Sequence, residues 1–407
     1  MQDGMPRRAT RRARRIVTMR KILSTVCFTL VAYFDIGLPL AVLPPYVHDQ
    51  LGFGAVMAGF AVSAAYISTL LSRALAGRMA DLIGPKRAVL IGLVADGASG
   101  LLLAAVPLVG RIGGGAWSGM AVILASRLFL GIGESWVSTS SIAWAIRQVG
   151  PRNTAVVISW NGVATYGGIA AGAPVGVLFA DAFGFEAVGG LTVLLSLVAF
   201  PLALLKRASP PAAGTRLPFR TVAGQVMPFG WGLSLGGLGF GTIAAFITLY
   251  YASLHWGGAS QSLTLFSLGF VATRLIFGNV IDRFGGYRVA LASFAGEVAG
   301  LTLLALAPTS GVAMAGAALS GFGFSLVFPA LAVEAVQGIP DNSRGTALGF
   351  YSVFLDVSLG FAGPLVGLVV AQAGYRLAFL TAALAALAGG GLTWMLYRRV
   401  RRTRPAG

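Results

Sequence analysis

Apolar runs long enough to cross a lipid bilayer recur from residue 22 to residue 397, and little else can be built from such a chain. Crossing ~30 Å of hydrocarbon takes about 20 residues of helix. The runs predict spans over 22–45, 54–76, 88–109, 117–141, 154–180 and 185–205. A second set follows over 223–251, 260–280, 288–307, 311–334, 344–371 and 376–397. Only 11% of the residues are Asp, Glu, Lys or Arg, against roughly 25% in soluble proteins, so a water-facing surface could not be covered. The 57 glycines suit helices that pack closely in lipid. One segment, 206–220, has linker composition, with Pro210, Pro211, Gly214 and Pro218. The expected fold is therefore an all-α membrane protein, with twelve transmembrane helices in two pseudo-symmetric six-helix bundles. Residues 1–21 and 398–407 form basic tails, 22–205 and 221–397 the bundles, and 206–220 the linker between them.

The net charge of +17 would suit a nucleic-acid binder if it lay on one face of a folded domain. It does not. Eight cations crowd the first 21 positions and five close the chain. Of the 30 Lys and Arg, 25 fall on the side of the two termini and two on the other. The remaining three, Arg73, Arg127 and Arg274, lie within spans. The positive-inside rule then places both termini in the cytoplasm of a bacterial inner membrane, the tails resting on anionic lipid. An Arg-rich organellar transit segment is the alternative for the N-terminus, and Met19 before Arg20 and Lys21 offers a second start. The single cysteine, Cys27, allows no internal disulfide and reads as a small core residue.

The two halves repeat. Gly77, Asp81, Gly84 and Arg87 return as Gly278, Asp282, Gly285 and Arg288, each 201 residues later. Gly131 and Gly133 return as Gly321 and Gly323 after 190 residues, and Pro174 returns as Pro364 after the same interval. Pro151 and Asn153 are echoed by Pro340 and Asn342 at 189. Intervals this close, in one order, predict two halves of common design.

The pattern Gly77, Asp81, Gly84, Lys86 and Arg87 between the second and third spans resembles the signature loop of the major facilitator superfamily, and its weaker copy sits between spans eight and nine. The resemblance covers the chain from 22 to 397 and is strongest to the bacterial drug:proton antiporter branch, sugar-efflux-like permeases included. It implies that Asp81 meets Arg344 or the helix N-terminus there, and that Asp282 meets the region of Arg152 and Asn153. Such contacts would latch one side of the bundle shut. Arg127 with Gly131 and Gly133 is similar to the family's fourth-span motif, which links that arginine to proton coupling. Gly168, Gly172, Pro174 and Gly176 resemble the antiporter Gly-Pro motif, with Ala173 departing from it; Gly363, Pro364 and Gly367 match more closely. Both prolines predict helix kinks.

Five carboxylates fall well inside spans: Asp35, Asp96, Glu134, Glu297 and Asp356. Ionisable groups there are expensive to bury and mark functional positions. Asp35 paired with Arg127 is the expected proton-coupling pair. Glu134, two helical turns from Arg127, is expected as a second proton site or the partner of a cationic substrate, and Asp356 as a further coupling acid. Asp96 and Glu297, on spans the family keeps peripheral, are expected to serve packing. The substrate cavity is expected to include Tyr33, Trp160, Asn161, Tyr166, Phe240 and Tyr250.

These residues lead to the expectation of a proton-coupled secondary transporter that exports small organic solutes by alternating access, as a monomeric unit. It needs no cofactor beyond the proton gradient and binds no nucleic acid. The chain has no P-loop for ATP, and two histidines, His48 and His255, at separate helix ends offer no metal cluster. Uptake of a sugar or organic acid by proton symport is the alternative. An intramembrane enzyme or sensor is the alternative of another class, and neither a catalytic constellation nor an appended soluble domain is visible for it. Reporter fusions check the topology: alkaline phosphatase joined within 206–220 is expected to be inactive, and a green fluorescent protein there to fluoresce. The opposite pattern would overturn the orientation.

Overall fold

Lipid cannot satisfy backbone N–H and C=O groups, so a chain this apolar must close its hydrogen bonds within each segment. The computed structural model describes residues 7–111, 115–150, 153–209, 219–277, 279–337, 339 and 341–403, and every regular element among them is helical. The first half runs α1 (Arg7–Leu40), a short α2 (Leu43–Pro45) with a π turn over Tyr46–Gln50, α3 (Ala55–Leu82) and α4 (Pro85–Arg111). It continues with α5 (Ala116–Val149), α6 (Thr154–Phe183) and α7 (Phe185–Leu205). The second half holds α8 (Phe219–Ser253), α9 (Ala259–Ile276), α10 (Val280–Phe284) and α11 (Gly286–Ala305). It closes with α12 (Ser310–Phe324), α13 (Val327–Ala335) and α14 (Asp341–Thr403).

Ten of the described helical stretches are long and apolar enough to span a bilayer. The 63 residues of α14 would reach roughly 95 Å if straight, but the chain folds at Gly374, whose φ of 80° and ψ of 173° break the helix into two passes. With the 18-residue α9, the passes number twelve, and the chain returns to the end at which it began. Two features differ from the expected spans. Helix α1 runs back through the basic tail to Arg7, since no glycine or proline separates that tail from the first span. The tenth pass is broken between α12 and α13, near Ser325 and Leu326. Cys27 lies exposed on the outside of α1 instead of in a core, alongside outward-facing leucines such as Leu71 and Leu205 that suit a lipid surface.

The repeats read from the sequence are repeats of packing. In the first half α5 lies against both α3 and α4, and in the second α12 lies against both α9 and α11. A side chain on Gly131 would overlap the Ala65 carbonyl of α3, and one on Gly133 would overlap Asp96 of α4. Likewise Gly321 presses on Phe266 of α9 and Gly323 on Glu297 of α11. Gly84 and Gly285 take the same left-handed turn, with φ of 89° and 82°, before α4 and α11.

The halves meet along two seams, α3 with α14 and α6 with α9. On the first, Ser63 Oγ donates to the Leu359 carbonyl at 2.9 Å and accepts from Gly363 N at 2.9 Å. On the second, Thr264 Oγ1 donates to the Ala170 carbonyl at 3.0 Å. Ser63 and Thr264 stand 201 residues apart, so one design closes both seams. The first is tightest at Gly59 and Gly363, where either added Cβ would strike the other's backbone. Gly363→Val is expected to lower stability by about 1–3 kcal/mol through overpacking. Gly391→Ala, at a position with open space, is expected to leave it unchanged. Thermal melting of the detergent-purified variants makes the comparison.

Candidate functional site

A guanidinium inside a bilayer costs at least ~2.5 kcal/mol and turns to a partner or a cavity, so the three arginines within spans locate the polar interior. Arg73 on α3 reaches across the first seam to Asp356 on α14. Its Nη2 donates to Asp356 Oδ1 at 2.8 Å and its Nε donates to Oδ2, a two-pronged pair. The same Nη2 stands 3.9 Å from Oε1 of Glu134 on α5. Thr69 holds Glu134 in place: its Oγ1 lies 2.9 Å from Glu134 Oε2 and 3.0 Å from the Gly131 carbonyl, so its one proton is shared between two acceptors. Tyr33 of α1 lies beside Glu134, Arg73 and Asp356. Tyr66 of α3 stands near Arg127, Glu134 and Asp356, and its hydroxyl has no hydrogen-bond partner among the described residues. Glu134 and Asp356 are both buried. One cation therefore sits between two acids, with one acid belonging to the opposite half.

The expected pair of Asp35 with Arg127 does not form. Asp35 is buried on the face of α1 that turns inward to its own half, with Asp96 of α4 and Thr192 of α7 as neighbours. Neither of its carboxyl oxygens has a hydrogen-bond partner among the described residues. Helical geometry explains the miss. Tyr33 and Asp35 stand two residues, about 200°, apart around α1, so a Tyr33 that faces the seam directs Asp35 away from it. Arg127, also buried, lies beside Tyr66. Among the described residues it makes no ion pair, and its Nε has no hydrogen-bond partner.

Asp96 and Glu297 share the 201-residue interval and share a setting. Each is buried against the Gly-x-Gly segment of the next pass in its half, and the carboxyl oxygens of both lack hydrogen-bond partners among the described residues. They pack, but they bond no helix there.

The expected cavity residues divide. Tyr166 of α6 stacks on Phe270 of α9, ring centroids 3.5 Å apart, and meets Phe240 of α8 edge-on at 5.6 Å, so both Tyr166 and Phe240 stand at the second seam. Asn161 Oδ1 accepts from Thr29 Oγ1 at 2.8 Å, which fixes α6 to α1. Trp160 packs with Ile22, Val26 and Ala145 within the first half. Tyr250 belongs elsewhere: its ring packs against Trp256 and Phe379 inside the second half, and its hydroxyl lies 3.4 Å from the Leu304 carbonyl. It stands on α8 within the expected seventh span, but its side chain points into its own bundle. Pro174 and Pro364 lie inside α6 and α14, and neither ends its helix. The glycines beside them have different targets, Gly176 pressing on Leu38 of α1 within one half and Gly363 on α3 across the seam.

In the signature loop, Asp81 Oδ1 accepts from Arg147 Nη2 of α5 at 2.7 Å, a pair within the first half. The expected partner Arg344 has its side chain outside the described residues, as does Arg152 opposite Asp282, and Asp282 itself is exposed. Gly77 lies where α3 passes Thr139 of α5, and Arg87 is exposed. Lys86 donates to the carbonyls of Leu204 and Lys206 at 2.6 and 2.8 Å and so closes the C-terminal end of α7.

The sequence places Arg73 and Arg274 within spans without assigning either a role. A signal was present, because the interval that maps Asp81 to Asp282 also maps Arg73 to Arg274. A cation repeated at one depth in both halves is a positional feature, not a chance charge.

The family model described as Major Facilitator Superfamily matches residues 25–262 and 229–407. A protein of Burkholderia pseudomallei (strain 1106a), called an uncharacterized MFS-type transporter, is 52% identical over 392 residues, covering 96% of this chain and 95% of that one. A protein of the same description from Pseudomonas aeruginosa (strain UCBPP-PA14) is 52% identical over 390 residues, covering 96% of each. Among solved structures, a D-xylose-proton symporter superposes with a TM-score of 0.76 at 15% identity, over 93% of this chain and 97% of that one. A human organic anion transporter superposes at 0.61 and 18% identity, over 92% and 99%. At these identities the structural likeness speaks for the fold alone.

A double-mutant cycle tests the pair at the seam. Removing one partner of a buried ion pair strands the other and costs about 3–5 kcal/mol. Arg73→Gln and Asp356→Asn are each expected to lower the melting temperature in detergent more than the double variant does. Additive losses would show that the two side chains are not coupled.

Proposed function

This chain belongs to the Major Facilitator Superfamily and is a multi-pass membrane transporter, and from that premise we propose that it is proton-coupled and exports small organic solutes. The observation that carries the reading is the Arg73–Asp356 pair, one partner in each half. Alternating access requires the halves to rock about a midplane site. A contact that bridges the halves must be broken and remade as the seam it closes opens and shuts. A carboxylate that loses its cation in a low-dielectric site is stabilised by taking a proton. Asp356 would thus exchange a guanidinium for a proton as the first seam opens, and release the proton when Arg73 returns. Glu134, 3.9 Å from the same guanidinium and held by Thr69, would take over Arg73 while Asp356 is protonated. The coupling role assigned on sequence grounds to Asp35 and Arg127 passes to this trio, because Asp35 turns away from the seam.

The basic tails and the charge asymmetry of the loops support a bacterial inner membrane with both termini in the cytoplasm. Each chain contains both halves and both seams, which supports a monomeric working unit. Uptake by symport would use the same trio and differs in the direction of net flux.

Everted membrane vesicles separate the readings. With an imposed pH gradient, an exported substrate is expected to dissipate the gradient in wild-type vesicles. Asp356→Asn is expected to cut that proton flux at least about tenfold, and Asp35→Asn, off the seam, far less. A flux carried undiminished by Asp356→Asn would refute the coupling role. Proton movement in the opposite sense would select symport.

A further inference from the structure

Of the two arginines that the 201-residue repeat sets at the seams, one has no acidic partner among the described residues. Arg274 of α9 is the repeat mate of Arg73, and the 190-residue interval that carries Pro174 to Pro364 carries Tyr166 to Asp356. Where Arg73 meets a carboxylate at the first seam, Arg274 therefore meets a phenol at the second. Its guanidinium lies near Tyr166 and Tyr351, with Cζ 5.0 Å from the centre of the Phe270 ring. Among the described residues it makes no hydrogen bond and no ion pair, its Nε is buried without a partner, and its side chain keeps partial exposure. Gly162 of α6 packs directly on it, since a Cβ there would stand 2.5 Å from Nη1, so the missing side chain leaves the space that the guanidinium itself occupies. A guanidinium at this depth calls for a counter-charge. Among the described residues Arg73 has one and Arg274 has none.

We propose that Arg274 is the anion subsite of the transport cavity, and that it receives the carboxylate of a small aromatic organic acid. The planar fork of N–H donors matches a carboxylate in two-pronged fashion. The rings of Tyr166, Phe270 and Phe240 provide an aromatic wall next to it. A bound carboxylate would complete at the second seam the ion pair that Asp356 completes at the first, so that substrate closes the bundle symmetrically. Glu134, weighed from the sequence as a site for a cationic substrate, is already engaged with Arg73, which leaves Arg274 as the charge available at a seam. This inference rests on the transporter reading and adds the substrate class to it.

Full-length protein in detergent is titrated with benzoate, phenylacetate and indole-3-acetate, each beside its neutral amide, and followed by melting temperature and tryptophan fluorescence. At least one carboxylate is expected to raise the melting temperature, and its amide is not. Arg274→Gln is expected to weaken that response about tenfold or more. Arg274→Lys, which keeps the charge but loses the fork, is expected to retain part of it and guards against a loss caused by misfolding. The proposal is overturned if amides match their acids, if Arg274→Gln responds as wild type does, or if no carboxylate shifts the wild-type protein. Proton flux in vesicles with neutral or cationic solutes, alongside such a result, would overturn the anion subsite and leave transport standing. Carboxylate binding through Arg274 without proton flux would uphold the subsite and remove the coupling.

Discussion

The ion pair between Arg73 and Asp356 joins the two halves of the chain by opposite charges inside the bundle. Each half has its own close-packed interior, built on glycines that let neighbouring backbones touch. Between the halves the described contacts include hydroxyl-to-carbonyl bonds from Ser63 and Thr264, a glycine crossing at Gly59 and Gly363, stacked rings at Tyr166 and Phe270, and this bridge of charge. In lipid there is no hydrophobic gain from pressing apolar helices together. A seam of directional polar contacts can therefore open without a large apolar penalty, while the halves remain rigid.

The two halves share one plan, and the exceptions to it mark where function enters. The glycines of the fourth and tenth passes, the left-handed turns at Gly84 and Gly285 and the seam hydroxyls are kept in both halves. The arginine is kept as well. Its partner is not: Asp356 stands at one seam and Tyr166 at the other. Structural positions follow the symmetry because both halves solve the same packing problem, whereas the partner of the seam arginine does not.

Much of the fold was legible in the residues. Span positions and the repeat followed from apolar runs and intervals. Of the expected coupling residues, Glu134 and Asp356 stand with Arg73, while Asp35 and Arg127 stand apart from each other. Tyr166 and Phe240 reach a seam, and Tyr250 does not. The residues that stand elsewhere than expected share one trait. Their spans were identified, but the direction each faces was not.

That difference has a physical cause. Transfer of a residue into hydrocarbon is nearly independent of its distant neighbours, so a run of twenty determines by itself that a segment crosses the membrane. The sequence alone thus determined the membrane embedding, the pass count and the two-fold plan. Which cation meets which acid depends on azimuth, and each residue along a helix turns the side chain by about 100°. A boundary uncertain by one or two residues leaves that angle undefined, and Arg73 and Asp356 lie 283 residues apart in the chain. Only the packed tertiary structure decided that Arg73 would be answered by a carboxylate and Arg274 by a ring.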